Sequence, residues 1–272
     1  MSRESSWIAQ IWPRLAVIGV GLLLWWAVSA SGAVSPELLP SPGDVWHAFT
    51  SNLMGSEGLL VSAERSVLRL LIGMAIGVVL GTLIGLAVAG SVLVQRTLGS
   101  VMSALFAVPA IAWIPLALLW LGERSERAII LVVVIATVPA VAIGTAAAVR
   151  LVPPLLTRAA RTLGAHGSEL YRGVVLPAAV PGYLSALRQG WAFAWQALIA
   201  GELVIAGARG LGHLIGRADQ RSDTALIVAT IGVIIVIGLL VDLLFSLVDR
   251  RIRRRRGLLA RPAPTRSLVA AA

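Results

Sequence analysis

Few side chains in this sequence can do chemistry. It holds no cysteine and three histidines, His47, His166 and His213, which stand far apart with no second histidine at helical spacing. Disulfides, thiolate nucleophiles and thiolate metal sites are ruled out, the redox compartment stays open, and no metal site is expected from the histidines alone. All 23 basic residues are arginine. Without a lysine there is no Gly-x-x-x-x-Gly-Lys-Ser/Thr phosphate loop, so ATP that drives the protein must bind another subunit. No paired carboxylates and no His/Asp/Ser constellation support a membrane enzyme.

The remaining candidates are charges inside apolar runs: Arg69, Arg188, Glu202 and Asp242. Each falls within about two turns of a predicted span end, where snorkelling or interfacial water relieves the cost. A secondary transporter or channel, the alternative to an ATP-driven device, would have to couple ions through Glu202 or Asp242. Glu202 is the best candidate for a gate or a packing role. Arg209, Arg217 and Arg221 share a loop with Asp219 and Asp223, which either leaves a site for an anion or neutralises them.

One polar island interrupts the apolar chain, Arg158-Ala159-Ala160-Arg161-Thr162-Leu163-Gly164, continuing to Val174-Val175-Leu176-Pro177. Small residues let a short helix lie against a partner, and Gly164 permits a turn. A second short helix is expected beyond it. Leu170 and Val174, and Tyr171 and Val175, repeat at four-residue spacing; Glu169 and Arg172 face water, Ser168 is a candidate cap, and Pro177 and Pro181 end the helix.

The elements that position these groups are membrane helices. The chain has 272 residues, 58% hydrophobic and 13% charged, with mean hydropathy +0.89, which implies an all-α integral membrane protein. Six spans are predicted, at about 15–30, 66–89, 98–121, 128–149, 183–205 and 224–248. A rival reading of the first is a cleaved signal peptide. The second carries Gly73, Gly77, Gly81 and Gly85, a strip that lets a neighbouring helix approach closely. Pro109 and Pro115 interrupt the third, and Trp113 and Pro115 are candidates for lining the pathway.

Net charge is +10, but much of it lies beyond the last span, which points to membrane orientation rather than to nucleic acid. Residues 1–14 and a basic, disordered tail at 249–272 are assigned to the cytoplasm, with a polar loop at about 150–182 on the same side. The tail's role, enforcing topology or binding anionic membrane lipid, stays open.

Ala159, Ala160, Gly164, Val174, Leu176 and Pro177 match, in register, the cytoplasmic-loop signature of permease subunits of binding-protein-dependent ABC importers. Leu39-Pro40-Ser41-Pro42, Ala112-Trp113-Ile114-Pro115 and Gly210-Leu211-Gly212-His213-Leu214-Ile215 add to it. The chain most resembles the nitrate, sulfonate and taurine branch of the type I importers. Two positions depart from that pattern: Arg158 replaces the family's glutamate, and His166 stands where a capping serine is common.

The resemblance implies a type I permease fold in a bacterial inner membrane and a homodimer of this subunit. It also implies two cytoplasmic ATPases that hold the ATP and Mg, no cofactor on this chain, and an extracytoplasmic binding protein that delivers substrate. The loop around Arg158–Pro177 would couple the ATPases to the spans in an alternating-access cycle. A shift from about 1:99 to 99:1 between two states needs roughly 5.5 kcal/mol of differential binding, within reach of an ATP-closed partner dimer. The implied substrate is an aliphatic sulfonate, taurine or a nitrate-like anion, with a vitamin precursor as the alternative.

Overall fold

A computed structural model of the chain describes residues 5–55, 57–122, 125–205 and 209–255, and every regular element among them is a helix. This is what apolar segments require, since a backbone in hydrocarbon must satisfy its own N–H and C=O groups. In order they are α1 (Ser5–Ala30), α2 (Pro42–Ser51), α3 (Leu59–Gly90), α4 (Val92–Val94), α5 (Ser100–Ala107) and α6 (Ile114–Leu121). Then follow α7 (Glu126–Arg150), α8 (Pro154–Thr162), α9 (Gly167–Leu170), α10 (Leu176–Val204), α11 (Leu211–Gln220) and α12 (Thr224–Arg255).

Helices α3, α7 and α12 are long and apolar enough to cross a membrane, and Val92–Ala107 and Ala110–Leu121 form a pair bent by 98° that is either a broken span or a re-entrant loop. The apolar part of α1, Ala16–Ala30, is shorter, and the 29-residue α10 is interrupted by Arg188, Gln189, Gln196 and Glu202. Length and hydropathy thus account for three of the six predicted spans among the described residues, or four if the bent pair is one span.

Several boundaries differ from those expected. Helix α3 starts at Leu59, so Glu64 and Arg65 belong to a helix and not to the preceding loop. The chain is already helical at Ser5, and α12 continues to Arg255, which takes in residues assigned to the two cytoplasmic ends. The rest of the tail lies outside the described residues. Pro177 and Pro181 do not end a helix: a π-helical turn, Tyr171–Val175, leads straight into α10, with Pro177 in its first turn and Pro181 inside it. A π turn already departs from the i→i−4 ladder, so a proline just after it removes little.

The chain divides into two units. One draws its described residues from 5–72, 110–133 and 195–237, the other from 73–109, 134–194 and 238–255. In the second unit α7 is the axis. A Cβ added to Gly77 would lie 2.5 Å from Thr137 Cβ, one on Gly81 2.8 Å from the Val138 carbonyl, and one on Gly85 2.6 Å from the Ala142 carbonyl. The glycine strip of α3 therefore lies bare against Thr137, Val141 and Thr145 of α7, the close approach its four-residue spacing predicts. On the α10 side, Gly182 meets Ala148 at 2.8 Å and Gly190 meets Val141 at 2.7 Å by the same measure. Thr82 and Tyr183 hydroxyls meet at 2.8 Å, and Arg150 donates to the Val88 carbonyl at 2.5 Å.

In the first unit the Leu39-Pro40-Ser41-Pro42 motif starts α2. Ser41 Oγ accepts from the Asp44 amide at 3.2 Å, Asp44 Oδ2 accepts from the Ser41 amide at 3.1 Å, and Pro42 occupies the first turn. This is a capping box. Trp25 Nε1 donates to the Pro40 carbonyl at 3.0 Å and ties the motif to α1.

Candidate functional site

Two groups of residues stand out, one in each unit. In the second, the Ala-Ala-x-x-x-Gly stretch closes α8. The Gly164 amide donates to the Arg161 carbonyl at 3.0 Å and the Ala165 amide to the Ala160 carbonyl at 3.0 Å, with Gly164 at φ +93°. This pair of bonds around a left-handed residue is a Schellman closure, which explains why glycine stands there. Ala160 and Ala165 then pack with Val152, Leu170, Val174 and Val175 into a small core under the loop. Leu170 and Val175 are buried, whereas Tyr171 is exposed, so of the two expected four-residue pairs only Leu170 and Val174 both turn inward.

The cap does not move to Ser168, which lies inside α9. His166 takes the N-cap position without a side-chain cap, and its Nδ1 meets the Gly164 carbonyl at 2.7 Å instead. Because a carbonyl only accepts, that nitrogen carries the proton. Above the small core, Arg158, Ala159, Ser168, Glu169, Leu176 and Pro177 are exposed, and Leu163 reaches 89% exposure. Leu155 and Leu156 of α8 are exposed too. The result is an apolar crest flanked by Arg158, Arg161 and Arg172 above a small packed base.

In the first unit Glu202 is fully buried, at 0% exposure. Ser66 Oγ lies 2.9 and 2.7 Å from its two oxygens, Arg69 donates to Oε1 at 2.7 Å, and the Gly212 amide donates to Oε2 at 3.1 Å. The Leu211 amide donates to Ser66 Oγ at 2.9 Å. Glu202 and Ser66 thus satisfy the first amides of α11, which no residue of its own caps. Arg69 spans from Glu202 to the exposed Glu126, 2.7 Å from its other terminal nitrogen. Snorkelling does not relieve these charges: Arg69 is 5% exposed, and hydrogen bonds and ion pairing satisfy Glu202 instead.

The Gly210-Leu211-Gly212 motif belongs to this cluster. A Cβ on Gly210 would collide with the Glu202 carboxylate, and one on Gly212 would come within 2.8 Å of Glu202 Cβ. Sequence reasoning singled out Glu202 and Arg69 separately but missed Ser66 and the contact that joins the three. The i, i+3 spacing of Ser66 and Arg69 on one helix face was the available signal.

Arg209 is exposed and lines a shallow depression with Arg65, His213, Arg217 and Glu57. Arg217 pairs with Glu57, not with its neighbours Asp219 or Asp223; Asp223 instead accepts from the Leu226 amide at 3.0 Å at the start of α12. Burial first, and then the charge of Arg209, hold the His213 imidazole below its ordinary range. Trp113 and Pro115 stand at the start of α6, and among the described residues no bond joins them to Glu202 or Arg209. The indole nitrogen of Trp113 is buried without a partner.

These arrangements can hold a partner and stiffen a helical frame, and among the described residues no group of three His, Asp or Glu converges on a metal site. The family model for the inner membrane component of binding-protein-dependent transport systems matches residues 77–254. The taurine transport system permease protein TauC of Escherichia coli K12 is 31% identical over 260 residues, 92% of this chain and 94% of that one. The putative aliphatic sulfonates transport permease protein SsuC of the same organism is 33% identical, covering 90% and 92%. The nitrate import permease protein NrtB of Synechocystis is 29% identical, covering 84% and 85%. A solved inward-facing MetNI methionine ABC transporter chain shares the fold, with a TM-score of 0.63 at 20% identity over 71% of this chain and 96% of that one. This chain belongs to the inner membrane component family of binding-protein-dependent transport systems, as the permease subunit of an ABC importer whose ATPase and substrate-binding functions lie in partner subunits.

Proposed function

We propose that this permease carries a small oxyanion, an aliphatic sulfonate or taurine in the first place. The observation that carries this reading is the chemistry common to its relatives, which are named for taurine, aliphatic sulfonates, nitrate and, at 27% identity, bicarbonate. Two copies of the chain form the pathway, and two ATPase subunits, which hold the ATP and Mg, act from the cytoplasm. Six spans place both termini and the coupling loop on that side of a bacterial inner membrane. The excess of arginine in the loop and along the end of α12 supports this orientation.

The exposed crest of α8 and α9 is the ATPase contact. Arg158, Ala159, Ser168, Glu169 and Tyr171 meet the partner, while Ala160, Gly164, Leu170 and Val174 hold the loop's shape, and Leu176 and Pro177 lead closure into α10. Arg158 offers this contact a positive charge and seeks an acidic group on the ATPase.

The test is uptake of radiolabelled taurine, nitrate and bicarbonate by proteoliposomes holding the permease, its ATPases and its binding protein. ATP-dependent uptake of one of these anions is expected. Uptake that persists with an inactivated ATPase would favour a secondary transporter, and uptake of neutral solutes alone would overturn the oxyanion reading.

A further inference from the structure

Arg188 and Asp242 form an ion pair between α10 and α12, with Arg188 Nε donating to Asp242 Oδ1 at 2.6 Å. Because α10 begins at Leu176, Arg188 lies about 18 Å along it, at 1.5 Å per residue, not near its end. Asp242 lies about 27 Å along α12 from Thr224 and about 12 Å from Arg250, where the arginine run begins. If the start of that arginine run marks one interface, the pair lies about two turns inside a hydrocarbon layer about 30 Å thick.

Yet the two side chains are 50% and 48% exposed. Half-exposed charge at that depth cannot face lipid tails; it faces water or protein. The flanking residues agree. Ser185 and Gln189, one turn apart on α10 and adjacent to Arg188, are exposed. On α12, Asp242, Ser246, Asp249 and Arg253 follow at spacings of four, three and four, one polar stripe running to the arginine-rich end, with Arg253 held to Asp249 at 2.8 Å.

We infer that Arg188, with Ser185 and Gln189 beside it, is the anion-contact point of the translocation pathway, and that Asp242 is its resting counter-ion. This rests on the oxyanion reading above. An arginine offers five donors in a planar fork that matches sulfonate, nitrate or carboxylate oxygens, and the two nitrogens facing Asp242 leave others free. A carboxylate partner keeps the guanidinium from standing alone while the pathway is empty. An arriving anion takes over that role and is released when the pathway changes state.

The experiment uses the complete transporter in proteoliposomes, with taurine as the probe. Removing both charges in R188Q/D242N avoids an orphaned ion, so a pair that only holds two helices together would tolerate it. The inference expects binding-protein-stimulated ATP hydrolysis to persist while taurine uptake falls by about tenfold or more, with R188K keeping part of it. Wild-type uptake by R188Q/D242N would overturn the assignment while leaving the oxyanion reading intact. A wild-type transporter that carries no anion would overturn both.

A second measurement needs no transport. The chain has no cysteine, so Gln189→Cys supplies a single thiol. The inference expects a membrane-impermeant sulfonate-bearing thiol reagent to modify it, more slowly when taurine is present. Modification by lipid-soluble maleimide only, or by neither reagent, would place this face against lipid or a second copy and overturn the inference.

Discussion

The Gly212 amide donates to the Glu202 carboxylate at 3.1 Å, and a side chain on Gly212 would come within 2.8 Å of Glu202 Cβ. The bond and the missing side chain are two halves of one device: α11 docks by its bare first turn onto a buried acid of α10. Glu202 thus serves as a cap supplied from another helix, with Ser66 as its helper. This gives the gate-or-packing candidate a definite structural task.

Losing that acid leaves Arg69, 5% exposed, with Glu126 alone. Glu202→Ala is expected to destabilise the detergent-purified protein by about 3 kcal/mol, the order found when one member of a buried pair is removed. Adding Arg69→Met should recover part of the loss. Thermal unfolding followed by tryptophan fluorescence reads this out, and an unchanged midpoint for Glu202→Ala would contradict the capping role. Gly212→Ala should resemble Glu202→Ala, since it pushes the two groups apart.

Gly164→Val places a β-branched residue at φ +93°, a conformation that costs on the order of 1–3 kcal/mol for such a side chain. The Schellman closure opens, yet the cost is confined to a surface loop. The variant is expected to insert normally and bind its ATPase, while uptake falls much further than ATP hydrolysis. Normal coupled uptake in proteoliposomes would remove the loop from the coupling path.

The shape of the α8–α9 loop was legible in the sequence because its constraints are local: Ala160 and Gly164 act within one helix end, and their spacing reports the closure directly. The α3 glycine strip was legible for a similar reason, since a four-residue repeat along one helix reports a close neighbour without naming it. Glu202 was legible only as an oddity. Its partners Ser66 and Arg69 lie 136 and 133 residues away, and no local pattern announces a contact of that range. The start of α10 was misplaced because Pro177 and Pro181 were taken as stops. A proline in the first turn, after a π turn, costs little, and the helix is seven residues longer than expected at that end.

The glycine strip makes a prediction of its own. On Gly81 a Cβ would lie 2.8 Å from the Val138 carbonyl, and on Gly85 2.6 Å from the Ala142 carbonyl. Backbone cannot swing aside as a side chain does, so Gly81→Leu should separate α3 from α7 or prevent folding, at a cost of about 1–3 kcal/mol or more. The exposed Leu83→Ala, two residues on, should cost far less. Cell-membrane abundance and thermal midpoint of the two variants form the comparison, and equal effects would mean that the strip does not hold the helices together.

The last prediction concerns pH and the start of α2. Hydrogen bonds from the Ser41 side chain and then its backbone hold the Asp44 carboxyl below its ordinary value of 3.8. A group whose folded value is depressed stabilises the fold above its unfolded value and loses that contribution as pH falls through the folded one. The capping box should therefore be at full strength at neutral pH and weaken only below about pH 4. Trp46 and Phe49 stack on this helix with ring centroids 5.5 Å apart, so the fluorescence of a variant retaining only Trp46 among its tryptophans follows the fraying. Its acid transition is expected to lie below pH 4, and Ser41→Ala should shift it upward toward the ordinary carboxyl value. A transition near pH 6 in both proteins would point to a histidine and not to the Ser41–Asp44 box.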